Sequence, residues 1–434
     1  MKLAINGGAK VRIKPFPAYR VIGEEEKQAV LSVLDSGVLS RYLGCWHDDF
    51  YGGPEVQALE REWAEYFGIR HAIAVNSCTS GLQCAVGAIG VEPGDEVIVS
   101  PYTMTASATA PLVFNAIPVF ADIEPDYFCL DSASVESKIT SRTRAIIVVD
   151  IFGLPYDMEK INSIARKHRL FVIEDTAQAP GAMYGGKYAG TLGDIGVFSL
   201  NYHKHIHCGE GGIVVTDNDE LAERIRLIRN HAEAVVEAKG AQNLVNMIGF
   251  NFRMPEMEAA ISRRQLKKLS GLIKTRMENC AYLAGRLAEI PAITPARIRE
   301  SCSHAYYVQP FKFKAGLAGV SRDTFIDAVR AELPVTELRE KEGPLLSCGY
   351  VKPLYLQPMF QQKIAYGACG YPFNLTQSDT ISYQKGICPV AELMHERELF
   401  LHEMMRPGMT REDLDDVVKA FVKVWENRDE LTGC

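Results

Sequence analysis

Along the first quarter of the chain, apolar positions recur with a helical period. Glu24–Asp35 reads as a helix stopped by Ser36-Gly37, with Glu24-Glu25-Glu26 as its acidic first turn. A loop rich in Gly, Asp and aromatics follows, from Val38 to Gly53. Val56, Leu59, Trp63 and Phe67 then share one helical face, ended by Gly68. Beyond it, short β-branched runs alternate with helical stretches. The strands predicted are Ala72–Val75, Glu96–Val99, Pro118–Ala121, Ala145–Val149, Leu170–Ile173, Gly196–Ser199 and Gly212–Thr216. Helices fit between several of them, among them Ser80–Ile89 and Met158–His168. Strands separated by helices imply crossover connections and a mainly parallel sheet.

Near residue 255 the texture changes. Pro255 suits the first turn of a helix carrying Ile261, Leu266 and Leu269, and a second long helix is expected over about Ile273–Glu289. A strand at Tyr306–Phe313, a helix at Arg322–Glu332, a loop-rich stretch to about Cys388 and a last helix from Arg411 complete the pattern. The expected architecture is α/β: a large domain over residues 1–275 and a smaller α+β domain over 276–434.

Composition narrows the function classes. The 434 residues are 47% apolar and 23% charged, with net charge −7. That balance disfavours a nucleic-acid footprint, which needs a basic surface. No apolar run approaches the roughly 18 residues of a membrane-spanning helix. The opening MKLAINGGAKVRIKPF lacks the apolar core of a secretory signal. Eleven cysteines, with no C-x-x-C pair, suit free thiols in a reducing cytoplasm.

Four local features carry chemistry only in combination. Asp175, in FVIEDTAQAPGA, is expected just past a buried strand, where open α/β sheets hold ligand groups; read alone it could be a helix cap or a structural ion pair. Lys204, in FSLNYHKHIHCGEGGIVVT, sits in a polar loop between apolar strands, where a partly buried amine can serve as a Schiff-base nucleophile; alone it reads as a solvated charge. Ser77-Cys78-Thr79-Ser80-Gly81 opens a helix after a strand, a place that suits a phosphate or a plain N-cap. Gly209-Glu210-Gly211-Gly212 needs a tight turn or close backbone approach. His203, His205 and His207 would share one face of a strand, but lack partners at metal-ligand spacing. A phosphate cradle, an acid and a lysine in this order are what pyridoxal 5′-phosphate (PLP) needs. At roughly 4 Å and an effective dielectric near 20, an acid facing the ring nitrogen contributes about 4 kcal/mol. That is about three pKa units, enough to keep the ring protonated at neutral pH.

At these motifs the chain resembles the DegT/DnrJ/EryC1/StrS family of sugar aminotransferases, whose fold is that of the aspartate-aminotransferase type. The likeness runs through FYGGPEVQALEREWAEYFG (50–68), NSCTSGL (76–82), EPGDEVIVSPYT (92–103), PVFADIEPDYFCLD (118–131), VIEDTAQAPGA (172–182), GTLGDIGVFSLNYHKHIHCGEGGIVVT (190–216), IGFNFRMPEMEAAI (248–261) and CPVAELMHERELFL (388–401). It implies a seven-stranded, mainly parallel sheet between helices, and the following roles. Lys204 would hold PLP as an imine and shuttle the proton. Asp175 would pair with the pyridine nitrogen and Gln178 with the phenolic oxygen. Ser199 and Thr79 hydroxyls, with the Cys78 and Thr79 amides, would hold the phosphate. Asn251 would reach the phosphate of a neighbouring subunit, which implies a homodimer with shared sites.

The chain departs from the family pattern at Cys78, where glycine is usual, and at Met104, where an aromatic usually stacks on the ring. It departs again at Asp150 and Pro180, where histidine is frequent, and at His205 and His207. These changes are expected to bear on substrate choice more than on fold. Lys204 favours transamination over the dehydration performed by relatives with histidine there. The opening INGGAKVR and the segment GYVKPLYLQPMFQ are similar to the cyclitol branch, which aminates keto-inositols with glutamine. The expected reaction is therefore amination of a ketone on a sugar or cyclitol ring by L-glutamine or L-glutamate. A nucleotide-linked keto sugar, a PLP-dependent dehydratase and a non-catalytic PLP-fold protein are the alternatives. The acceptor would be chosen by loops at 38–53 and 340–380. Arg41, Arg253, Lys352 and Lys363 are the cations available there for a diphosphate.

Overall fold

A computed structural model describes residues 1–375 and 381–432. Helix α1 (Glu24–Ser36) opens on a Glu26 carboxylate that accepts from the Gly23 amide, and Gly37 closes it in the left-handed conformation. Helix α2 (Pro54–Phe67) starts with Pro54 in its first turn and stops at Gly68, φ 66°. Its Val56, Leu59, Trp63 and Phe67 are buried, each contributing on the order of 1.5–3 kcal/mol. Then come β1 (His71–Val75), α3 (Cys78–Ala88), β2 (Glu96–Val99), α4 (Ala106–Val113), β3 (Ile117–Phe120), α5 (Ser132–Ser137), β4 (Thr143–Val149), α6 (Met158–His168) and β5 (Phe171–Asp175). A small ribbon, β6 (Met183–Tyr184) with β7 (Lys187–Tyr188), precedes β8 (Ile195–Ser199), β9 (Gly212–Thr216) and α7 (Asp219–Arg229).

Seven strands form one sheet in the order β1-β9-β8-β5-β4-β2-β3. All pairings are parallel except those of β9 with β1 and β8. Its central strands are buried on both faces, which is why they read as unbroken apolar runs. Because six strands run one way, the loops after β1, β2, β4, β5 and β8 gather at one edge.

The two long helices expected after residue 255 are a single one, α8 (Glu256–Leu287). Gly271 lies inside it with open space around its Cα, so the helix bears only the roughly 1 kcal/mol cost of a mid-helix glycine. Burial on both sides of that position offsets this cost. Leu266, Leu269 and Ile273 pack with Trp63, Phe67 and Phe198, whereas Cys280, Leu283 and Leu287 belong to a second core with Phe311, Phe325, Phe400 and Phe421. The second core covers an antiparallel sheet of β10 (Ile293–Pro295), β11 (Gln309–Phe313), β13 (Leu399–His402) and β12 (Leu346–Cys348), in that order. Helices Arg322–Glu332 and Arg411–Glu426 pack against it. The strand expected from Tyr306 begins only at Gln309, because Tyr306 turns into the left-handed region at φ 52°.

Candidate active site

The site is assembled at the sheet edge where the parallel strands end. Asp175 is the last residue of β5, paired with Val149 and Val197, rather than a loop residue beyond it. It is 5% exposed. Its Oδ2 accepts from Ser107 Oγ at 2.7 Å and its Oδ1 from the Ala177 amide at 3.2 Å. Burial pushes its carboxyl up, while those two donors and the Lys204 charge pull it down. Ser107, buried on α4, is a site residue that periodicity and motif reading missed; nothing near it marks α4 apart from an apolar stretch interrupted by Pro111.

Lys204 lies in the loop between β8 and β9, as its surroundings in the sequence imply, and is 8% exposed. Its Nζ sits 4.3 Å from the centroid of the Tyr307 ring. Its charge acts on both Asp175 and the Cys78 thiol, and Cys78 Sγ lies 4.0 Å from Asp175 Oδ1, so the three side chains share one recess. The segment that carries Tyr307 is bonded to the turn after β4. Tyr307 N donates to Phe152 O and Ala305 N to Gly153 O, each at 2.8 Å. Gly153 must be glycine there: a Cβ would stand 2.5 Å from the Tyr306 nitrogen, and φ is +112°.

The predicted phosphate loop is the first turn of α3. Ser77 caps it by accepting from Ser80 N, so Cys78 and Thr79 present amides that have no partner within the helix. Ser199, at the end of β8, pairs with Gly212. A Cβ on Gly212 would lie 2.7 Å from the Cys78 nitrogen and 2.6 Å from the Ser77 carbonyl carbon. Glycine alone therefore lets β9 begin directly beneath the helix start.

Gln178 is 3% exposed and fully engaged. Its Oε1 accepts from Phe152 N at 2.7 Å, and its Nε2 donates to Tyr350 Oη at 3.0 Å. Tyr350, from the GYVKPLYLQPMFQ segment, donates its own amide to Tyr102 Oη at 2.7 Å. Met104 is 54% exposed in the loop after β2, and Thr79 is exposed. Asn251 is exposed too, its Oδ1 held by Arg253 Nε at 2.8 Å, beside Asn76, whose side chain donates to its carbonyl.

Two departures from the family pattern turn out to build the site's floor rather than face a substrate. Asp150 is fully buried under β5, accepting from Tyr156 N and Thr176 Oγ1. His205 is fully buried with Nε2 against Ala305 O, and accepts Tyr19 Oη on its carbonyl. The three histidines lie on a loop, not on one strand face, and no metal-ligating cluster occurs among the described residues. Of the cations considered for a diphosphate, Arg41 pairs with Asp49, Arg253 with Asn251, and Lys363 donates to Ile381 O. Residues 376–380 of the expected acceptor loop lie outside the described residues. The cations that do converge near Lys204 are others. Arg276 of α8 and Arg339 of the segment before β12 both act on the charge of Arg406, in the segment after β13.

A family model for the DegT/DnrJ/EryC1/StrS aminotransferase family matches residues 21–422. The chain belongs to that family. It is an aminotransferase, from a family of PLP-dependent enzymes. It is 32% identical to the spore coat polysaccharide biosynthesis protein SpsC of Bacillus subtilis (strain 168), over 94% of this chain and 96% of that one. It is 32% identical to L-glutamine:2-deoxy-scyllo-inosose aminotransferase of Streptomyces lividus, over 99% of each. Among solved structures, DesI in the presence of its TDP-sugar product superposes with a TM-score of 0.80 at 27% identity, covering 99% of this aminotransferase and 98% of DesI. Among the described residues, no helix of this aminotransferase is long and apolar enough to cross a membrane.

Proposed function

We propose that this aminotransferase uses PLP to convert a ketone on a sugar or cyclitol ring into an amine, with L-glutamine or L-glutamate as donor, and that it works as a cytoplasmic homodimer. The observation that carries this reading is the buried Lys204 amine sharing one recess with the buried Asp175 carboxylate at the start of α3. The recess fits the cofactor on three counts. Asp175 has its hydrogen bonds and, among the described residues, no cation in direct contact, so it could face a protonated ring nitrogen. The α3 amides with the Thr79 and Ser199 hydroxyls offer donors to a dianion. Gly212 leaves the space that a side chain would take from it.

When bound, the cofactor ring supplies an electron sink for the substrate carbon that loses its proton. The chain supplies the rest. Asp175 keeps a proton on the ring nitrogen. Lys204 Nζ would take the proton from the donor carbon and later return one to the acceptor carbon. Gln178 ties Tyr350 to the turn after β4. Met104 offers a polarisable face to a ring. Asn251, exposed on one protomer, is available to a partner's phosphate loop. Full-length likeness to an enzyme named for glutamine and a deoxy-inosose supports a free cyclitol acceptor over a nucleotide sugar.

The test is spectroscopic. The protein is loaded with PLP and its visible absorbance is followed on adding L-glutamine or L-glutamate. A panel of ketones, including scyllo-inosose and 3- or 4-keto nucleotide sugars, is then used to reverse the change. The expected result is a donor-induced shift reversed by a ring ketone. Absence of any shift with either donor would overturn the proposal.

A further inference from the structure

A cavity of about 260 Å3 adjoins the Lys204 recess, and two tyrosines belong to both. Tyr307 lines the cavity while its ring lies 4.3 Å from Lys204 Nζ. Tyr350 lines it too, and its Oη accepts from Gln178 Nε2 at 3.0 Å. The Asp175 charge reaches the same phenol. Tyr350 is held from three directions. Its amide donates to Tyr102 Oη at 2.7 Å, its ring meets Phe152 edge-on at 5.3 Å between centroids, and Gln178 occupies one lone pair of its hydroxyl. Among the described residues nothing accepts the hydroxyl's own proton. A phenol both donates and accepts, so this one keeps a fixed, unspent donor at the boundary between cavity and recess.

The rest of the wall is charged but balanced. Arg339 donates Nε to Glu342 at 2.6 Å and Nη1 to Glu403 at 2.8 Å, so its fork is spent on two carboxylates that line the same cavity. Arg330, the other arginine of the wall, donates to Leu346 O at 2.6 Å and to Asp327 at 3.2 Å. A phosphate is recognised by arginine forks that are free to take it; here it would compete with Glu342 and Glu403 for Arg339. A ring hydroxyl meets no such competition. An ionised carboxylate has about four acceptor positions, more than the arginine uses, and takes a hydroxyl without giving up its partner. The volume is also below the roughly 300–1,000 Å3 of a site for a larger ligand, which leaves room for one ring but not for a ring with a nucleotide attached.

We propose that this cavity is the acceptor subsite, that it takes a single uncharged polyhydroxylated ring held by Glu342, Glu403 and Tyr350, and that Tyr350 sets the ring's position at Lys204. This rests on the transaminase reading above. The probes are scyllo-inositol, which has the ring hydroxyls but no ketone, and its monophosphate, each titrated into the PLP-loaded enzyme by calorimetry. Wild type is expected to bind the uncharged ring at least about 10-fold more tightly than the phosphate, a difference of about 1.4 kcal/mol. Tyr350→Phe is expected to weaken scyllo-inositol binding about 10-fold, the scale of one lost hydrogen bond. It should raise KM for scyllo-inosose by a similar factor and change kcat less. Glu342→Lys, on a half-exposed side chain, is expected to reverse the preference in favour of the phosphate. Binding of neither probe by wild type, or tighter binding of the phosphate, overturns the uncharged-ring assignment even if Tyr350→Phe does not fold. Binding of scyllo-inositol that neither substitution alters overturns the location. Loss of kcat in Tyr350→Phe with KM unchanged overturns the positioning role. Binding of scyllo-inositol that depends on Tyr350, with no spectral response to either amino donor, leaves the subsite standing and refutes the transaminase reading.

Discussion

Asp175 and the arginines Arg276 and Arg406 lie in the same part of the molecule as Lys204 and are built on opposite plans. Asp175 accepts hydrogen bonds from Ser107 and the Ala177 amide and feels the Lys204 charge. Arg276 keeps its Nε and Nη2, and Arg406 its Nε, without a hydrogen-bond partner among the described residues. The first has its bonds complete within the chain; the second leaves donors open among the described residues.

The largest effect that would sharpen this contrast is at the lysine both regions face. Lys204→Ala is expected to lower turnover by about 10³-fold or more, the scale of a lost proton-transfer group, measured as single-turnover conversion of the PLP-loaded enzyme. Asp175→Asn comes next. Losing an ion pair of about 4 kcal/mol should cost about 10³-fold in the same assay. The cofactor-free variant should melt no lower than wild type, because a carboxyl held above its ordinary range destabilises the fold when it ionises at neutral pH. A melting point that falls together with activity would make Asp175 a structural group and break the comparison.

Gly212→Ala should follow at about 1–3 kcal/mol of lost stability, from forcing a methyl against the Ser77–Cys78 backbone, with weakened phosphate binding read by equilibrium dialysis of PLP. The smallest effect is on pH. His304 and His402 are buried neutral, pulled down to about 3, so stability is full above pH 6.5 and is lost as pH falls below it. Burial pushes Glu174 up to about 7 against three backbone amides, so its contribution is full at low pH and lost as pH rises through 7. Thermal melts from pH 5 to 8 should therefore peak between 6 and 7. Between pH 6.5 and 5.5 each histidine removes up to about 1.4 kcal/mol.

Much of the fold was legible because its signals are local. The strands β2 and β9 and the helix Met158–His168 fall where periodicity places them, since each is bounded by its own turn residues. The expected break in α8 did not occur, because whether Ser270-Gly271 ends a helix depends on what packs on either side. Tyr306 left its expected strand because Arg276, thirty residues away, takes its carbonyl. At the site, Lys204, Asp175 and the α3 turn could be read because each follows a strand in a recognisable segment. Ser107 could not, since it has no local marker.

The sequence by itself determined the alternation of strands and helices and the motifs that carry the family resemblance, with the helix-opening turn, the acid and the lysine each following a strand, because these are local to the chain. Only the tertiary structure decided that Asp150 and His205 support the floor, and that arginines from positions 276, 339 and 406 meet beside residue 204. Such convergence is fixed by the packing of two cores along one continuous helix, and packing between distant segments leaves no period in the chain to read.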